Sequence, residues 1–187
     1  MGELVNFAAR AFALVSTVVF LLTILAQVPA SAASERFAQC PDAGTHHSLR
    51  GTQCADIEVP LDHSAPDDGT IRLFVRKFPA QAPRKGQFWL VAGGPGESGA
   101  SFYPFIETLR DAAPGFDLIV PDHRGTGFST RLCPVEESAE SEGGRALAGK
   151  EWATCFAALN AKADRTRAFT ITNAARDLDM LMSRFGA

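Results

Sequence analysis

The stretch from Phe88 to Ser129 constrains this chain more than any other. Phe88-Trp-Leu-Val-Ala92 runs into Gly93-Gly94-Pro95-Gly96, and a helix-length segment follows. A second apolar run, Phe116–Pro121, then breaks into Asp122-His-Arg-Gly-Thr-Gly-Phe-Ser129. Two short apolar runs, each ending in a glycine turn and separated by one helix length, predict a parallel βαβ unit. In sheets of this kind ligands bind just beyond the carboxyl ends of the strands. Both glycine turns are therefore expected where a site would be built.

The flanking segments extend this pattern into an α/β fold. Ala55–Leu61 and Thr70–Phe78 read as strands around the strong turn signal Ser64–Gly69, an antiparallel hairpin leading into the sheet. Gln87–Ala92 is continuously apolar, as a strand buried on both faces would be. Phe102, Phe105, Ile106 and Leu109 recur at helical spacing and predict an amphipathic helix over 101–113. Val135–Gly149 is acidic and glycine-containing, and reads as a surface excursion before a helix over Lys150–Ala163. A last helix is expected to be capped by Thr172, to carry Ala175, Leu178, Leu181, Met182 and Phe185 as its apolar stripe, and to stop at Gly186.

The amino terminus points to export. Ala11 to Val28 is uncharged and apolar, Arg10 precedes it, and Pro29-Ala30-Ser31-Ala32-Ala33 follows. That combination predicts a secretory signal over 1–32, cleaved after Ala32. The same run is long enough to span a bilayer if left uncleaved. The expected organisation is a signal over 1–32, an irregular segment over 33–53 and a partial catalytic-type domain over 54–187. The four cysteines all follow the signal, an even number suited to an oxidising compartment. They allow three pairings. Cys40–Cys54 with Cys133–Cys155 closes two short loops and leaves the glycine-rich centre free, so that pairing is expected. Zinc is the competing use, but no Cys-x-x-Cys spacing occurs and His46-His47 is an isolated doublet. No metal or cofactor is expected. A net charge of −3 indicates no basic face for nucleic acid.

At this point the residues carry a family resemblance. Cys54-Ala-Asp-Ile-Glu-Val-Pro-Leu-Asp62, Gly93-Gly94-Pro95-Gly96 with Ser98-Gly99, Asp122–Ser129 and Ala175-Arg-Asp-Leu-Asp179, in this order, resemble secreted α/β-hydrolases of the tripeptidyl aminopeptidase and proline iminopeptidase kind. Ala92 departs from the His that iminopeptidases usually carry there. The resemblance implies the amino-terminal part of an α/β-hydrolase fold and peptides with a free amino terminus as substrates, with esters still open. It also implies a strand and a Gly-x-Ser-x-Gly elbow after the last helix, then an acid and a histidine. None of these appears before Ala187, so no catalytic triad residue is assigned. The expectation is a chain that stops ahead of its nucleophile and is inactive alone.

The glycine loop has a physical task in such chemistry. Acyl transfer builds negative charge on a carbonyl oxygen, which backbone N–H groups stabilise. Glycine lets the main chain come close to a substrate, and Pro95 stiffens the turn. Gly94 is the first candidate oxyanion donor and Gly93 the second, with Pro95 and Gly96 shaping the loop. Asp122, Arg124, Gly125 and Gly127 are expected to scaffold the neighbouring turn, with Asp122 and Arg124 pinning it by hydrogen bonds. His123 is read as a turn residue and not as a general base.

Three other readings compete. Gly96-Glu-Ser98-Gly-Ala100 nearly spells a serine elbow, but alanine replaces its last glycine and Ser98 does not leave a strand directly. Gly94-Pro-Gly96-Glu-Ser-Gly99 is a literal Gly-x-Gly-x-x-Gly, and Asp122 could play the ribose-binding acid of a Rossmann-type dinucleotide site. Pro95 removes one loop amide and export removes the chain from NAD pools, which weighs against it. The third reading is a secreted non-catalytic remnant or binding module.

Overall fold

The computed structural model describes residues 36–93 and 96–186, within the unit Ala33–Ala187. The expected signal and its cleavage site at Ala32 lie outside the described residues, as do Gly94 and Pro95. Five strands form one mixed sheet: β1 Ala38–Gln39, β2 Gln53–Asp62, β3 Ala65–Phe78, β4 Gly86–Trp89 and β5 Phe116–Pro121. Their spatial order is β1-β2-β3-β5-β4. β1, β2 and β3 pair antiparallel, and β5 joins β3 antiparallel through Val75↔Pro121 to Phe78↔Leu118. β4 runs parallel to β5, with Phe88 opposite Leu118. This is the expected α/β arrangement of a hairpin feeding a parallel pair.

Alternation along the strands builds two cores. Ala55, Ile57, Val59, Ile71, Leu73, Val75 and Ile119 share one face, closed by Leu181 and Phe185 of helix α4 (Ile171–Phe185). Phe78, Leu118 and Val120 point the other way, against Leu49 and against Ile106 and Leu109 of helix α1 (Ile106–Ala112). Successive strand residues alternate faces, so β5 supplies Ile119 to one core and Leu118 and Val120 to the other. Helices α2 (Glu151–Ala161) and α3 (Ala163–Arg167) follow the excursion after β5. Disulfides join Cys40 to Cys54 and Cys133 to Cys155, with Cα–Cα separations of 4.9 and 5.4 Å, as expected from the short loops.

Several local expectations are corrected. The hairpin turns at His63-Ser64, with Asp62 paired to Ala65, while Pro66–Gly69 stays in β3. The Asp62 carboxylate accepts from Ser64 N–H (2.8 Å) and Ser64 Oγ (2.7 Å), a local closure stronger than the downstream Asp-Gly signal. The helix expected over 101–113 is a 3-10 segment, Gly99–Phe105, followed by α1. Pro104 explains the tighter start, because it lacks an N–H and disfavours α geometry before it. Phe105 is left exposed instead of joining the apolar stripe. β4 ends at Trp89, not Ala92, and is not buried on both faces: Phe88 is 46% exposed and stacks on Phe116 at 4.4 Å. It is the outer strand of the described sheet, paired on one side only. Thr170, not Thr172, caps α4, its side chain accepting from Asn173 N–H, and Gly186 ends that helix at φ 72°. The segment expected to be irregular before residue 54 contributes β1.

Candidate active site

Both glycine turns emerge at the same end of the sheet, because β4 and β5 run parallel. Asp122, the first residue past β5, joins them. Its Oδ1 accepts Gly99 N–H at 2.8 Å and its Oδ2 accepts Phe128 N–H at 2.7 Å. One carboxylate thus holds the helix entry behind the Gly93–Gly96 loop and the turn after β5. Asp122 is 3% exposed, and burial raises its carboxyl above the usual range even though both amide bonds oppose this. The packing around it demands glycine twice. A Cβ on Gly99 would lie 2.6 Å from Val120 Cγ1 and 2.9 Å from the Pro121 carbonyl. Gly127, at φ 52°, packs directly on the Asp122 carboxylate, which a Cβ would strike. Ser129 completes the anchor, donating from Oγ to the Asp122 carbonyl (2.7 Å) and accepting Phe74 N–H (2.9 Å).

Arg124 does something other than pin its own turn. Its guanidinium is bidentate to Asp177 of α4, both bonds at 2.7 Å. It also donates to the carbonyls of Leu61 (2.6 Å), Ala168 (2.9 Å) and Pro60 (3.2 Å). The motif after β5 is thereby fastened to the hairpin tip and to the start of the last helix. His63 adds a 2.8 Å bond from Nε2 to Asp177 Oδ1, and Asn173 bridges His63 N–H (3.3 Å) to the Ala168 carbonyl (2.9 Å). Asn173, Asp177 and Leu181 are the buried residues of α4. The expected apolar stripe includes Ala175, which is exposed, and leaves out Asn173 and Asp177, which are buried. The signal lay in the i, i+4 spacing of 173, 177 and 181.

A cleft of about 510 Å³ opens beside this cluster. Ala92, Gly96, His123, Arg124 and Thr126 line it on the strand side, Phe169, Ile171 and Ala174 on the helix side, and Glu97 contributes a carboxylate. His123 Nε2–H donates to the Ala92 carbonyl at 3.2 Å, so this imidazole steadies the loop backbone. Ser98 caps the 3-10 segment, its side chain accepting from Ala100 N–H at 3.3 Å. Among the described residues no histidine bonds to it. Of the candidate donors, Gly93 is exposed just past β4, and Gly94 lies outside the described residues. Cys40, Cys54 and Asp42 sit within 4.8 Å of one another, but both sulfurs are spent in a disulfide and Asp42 accepts two bonds from Arg76.

A mixed sheet flanked by helices, with glycine turns at the carboxyl ends of its parallel strands, defines an α/β fold of hydrolase-like architecture. Comparison with known proteins points the same way. The chain is similar to serine protease Hip1 of Mycobacterium tuberculosis, 32% identical over 94 residues that make up 49% of this chain and 18% of that protein. The Mycobacterium bovis serine protease Hip1 matches equally. Proline iminopeptidase aneH of Aspergillus aculeatus is 32% identical over 80 residues, 41% of this chain and 18% of that enzyme. The match thus spans under a fifth of each relative's length, and supports an α/β-hydrolase-like relationship. No family model matches the chain.

Proposed function

We propose that this chain is the front part of an exported serine peptidase, most simply an aminopeptidase, and that it supplies half of an oxyanion hole and the scaffold beneath it. The observation that carries the reading is the buried Asp122 carboxylate, whose two oxygens tie Gly99 N–H, behind the glycine loop, to Phe128 N–H in the turn after β5. A scaffold fixed in this way next to the loop is what electrostatic stabilisation of an acyl-transfer transition state requires. Gly94 N–H is the assigned first donor and Gly93 N–H the second. A serine protease and a proline iminopeptidase among the similar proteins support peptides as the substrate class. Two disulfides support an oxidising compartment, and with it the signal over 1–32.

The nucleophile is not assigned within these residues, which contain no Gly-x-Ser-x-Gly. Amino-terminal peptide anilides, short esters and a fluorophosphonate probe test the proposal. The 187 residues should neither turn over substrate nor take the probe, and a polypeptide in which a Gly-x-Ser-x-Gly segment, an acid and a histidine follow them should do both. In that active polypeptide, Gly94→Pro should lower kcat about 10²–10³-fold, the cost of one lost oxyanion donor. Labelling of the 187 residues that disappears in Ser98→Ala would sink the assignment and make Ser98 the nucleophile.

A further inference from the structure

On the far side of Gly96 the chain gathers a charge that its composition hides. The sequence carries 18 Lys and Arg against 21 Asp and Glu, yet four arginines (Arg72, Arg131, Arg145 and Arg165) line one cleft of about 430 Å³, where among the described residues Glu137 is the only carboxylate in the wall. Glu137 is already committed, bonding Arg131 at 3.0 Å and Cys133 N–H at 2.9 Å. Arg72 pairs with Asp56 of β2. Arg165 donates only to the carbonyls of Arg131 (2.8 Å) and Leu132 (3.2 Å), and stacks on Phe169 at 5.0 Å. Arg145 lies over the Phe128 ring at 4.5 Å. Among the described residues neither Arg145 nor Arg165 forms an ion pair with a carboxylate. Both rest on aromatic faces, a contact that orients a guanidinium without using its N–H groups, although those of Arg165 also reach the two carbonyls. Like charges gathered around one cleft attract a counter-anion, and arginine forks match a carboxylate bidentately.

Arg131 and Arg145 also line a second cleft, of about 510 Å³, which reaches Gly96 and Ser98 on the glycine loop. The basic cleft is therefore continuous with the loop assigned to acyl chemistry. We infer that Arg145, with Arg131 and Arg165 behind it, forms an anion subsite that takes a carboxylate of an acidic peptide. The choice of a peptide as the carrier rests on the peptidase reading above; the charge selectivity does not.

Calorimetric titration of the full chain with tetraglutamate, tetraalanine and inorganic phosphate tests this. Tetraglutamate should bind at least about tenfold tighter than tetraalanine, since one charge-assisted bond is worth that much. Its affinity should fall as salt rises. Arg145→Glu should abolish the preference and Arg145→Lys should keep part of it. Arg50→Glu, an equal charge change at another exposed position, should leave it intact. Arg145 is exposed, and a thermal melt of each variant should overlay the parent. Equal binding of both peptides, no binding of any probe, phosphate binding as tight as tetraglutamate, or indifference to Arg145→Glu would each overturn the inference. Failure of the peptidase reading has a different signature: charge-selective binding persists, but the longer polypeptide with a Gly-x-Ser-x-Gly segment turns over no peptide.

Discussion

Two arginines are buried among the described residues, and they are held in opposite ways. Arg76, in the middle of β3, is 1% exposed, and its partners are Tyr103 Oη (2.8 Å), Thr52 Oγ1 (3.0 Å) and Asp42, bidentate at 2.8 and 2.9 Å. Asp42 itself is 36% exposed in its side chain, so water reaches that end of the pair. Arg124 is 6% exposed, and its carboxylate partner Asp177 is only 4% exposed in its side chain. A buried ion pair contributes little net stability, whereas removing one partner leaves an uncompensated charge. Arg76 can exchange Asp42 for water. Arg124 cannot exchange Asp177 for anything. The first cluster fastens the disulfide loop to the sheet, and the second fastens hairpin, turn and last helix around the candidate site.

The largest effect should break that comparison directly. Asp177→Ala should destabilise by about 3–5 kcal/mol, because Arg124 and His63 lose their shared buried partner. Asp42→Ala should cost no more than about 1–2 kcal/mol, with water replacing the carboxylate. Urea unfolding of both variants against the parent gives the two numbers, and equal losses would erase the distinction. Next in size, the Cys40→Ser/Cys54→Ser double variant should lose about 3 kcal/mol, the loop entropy of a closure of 14 residues. This loss falls on the Arg76 side, since Thr52 and Asp42 lie within the closed loop. Its measurement is again the unfolding midpoint, with and without reductant.

The smallest effect sharpens the contrast through pH. Burial pushes the Tyr103 phenol up from 10.0 to about 12, with the Arg76 charge opposing that rise. The folded state therefore keeps the neutral phenol while the unfolded chain ionises. Stability from this source is fully present below pH 10 and is lost as pH rises through about 12. Tyr103→Phe should flatten the alkaline limb of the stability profile, whereas Asp177→Asn should leave that slope unchanged. Unfolding midpoints measured between pH 9 and 12 decide it.

Much of the fold was legible because it is written in local periodicity. Alternation along Ala55–Val59 and Ile71–Val75 marks strands, and the turn signal after Pro121 marks where β5 ends, whereas β4 stops at Trp89, before its glycine break. The cysteine spacing marked two short closures that the structure contains. Errors arose where a strong local signal met a competing contact. Asp67-Asp68-Gly69 looks like a turn, yet Asp62 closes the chain two residues after itself on Ser64. The site was half legible. The glycine turns announced its position, but nothing local to Arg124 points to its partner Asp177, 53 residues away. Likewise, the arginine cleft draws Arg145 from an excursion whose composition is acidic.

The sequence by itself determined the hairpin strands, the strand before the Asp122 turn and the last helix, and it implied that the two strands leading into the glycine turns run parallel. Hydrophobic period and backbone sterics act between near neighbours, and need no knowledge of the rest of the chain. Only the tertiary structure decided that Asp122 spans both turns, that Asp177 answers Arg124, and that four arginines meet in one cleft. Such pairings depend on which surfaces the packed sheet and helices bring together, and a charge at one position carries no local mark of its distant partner.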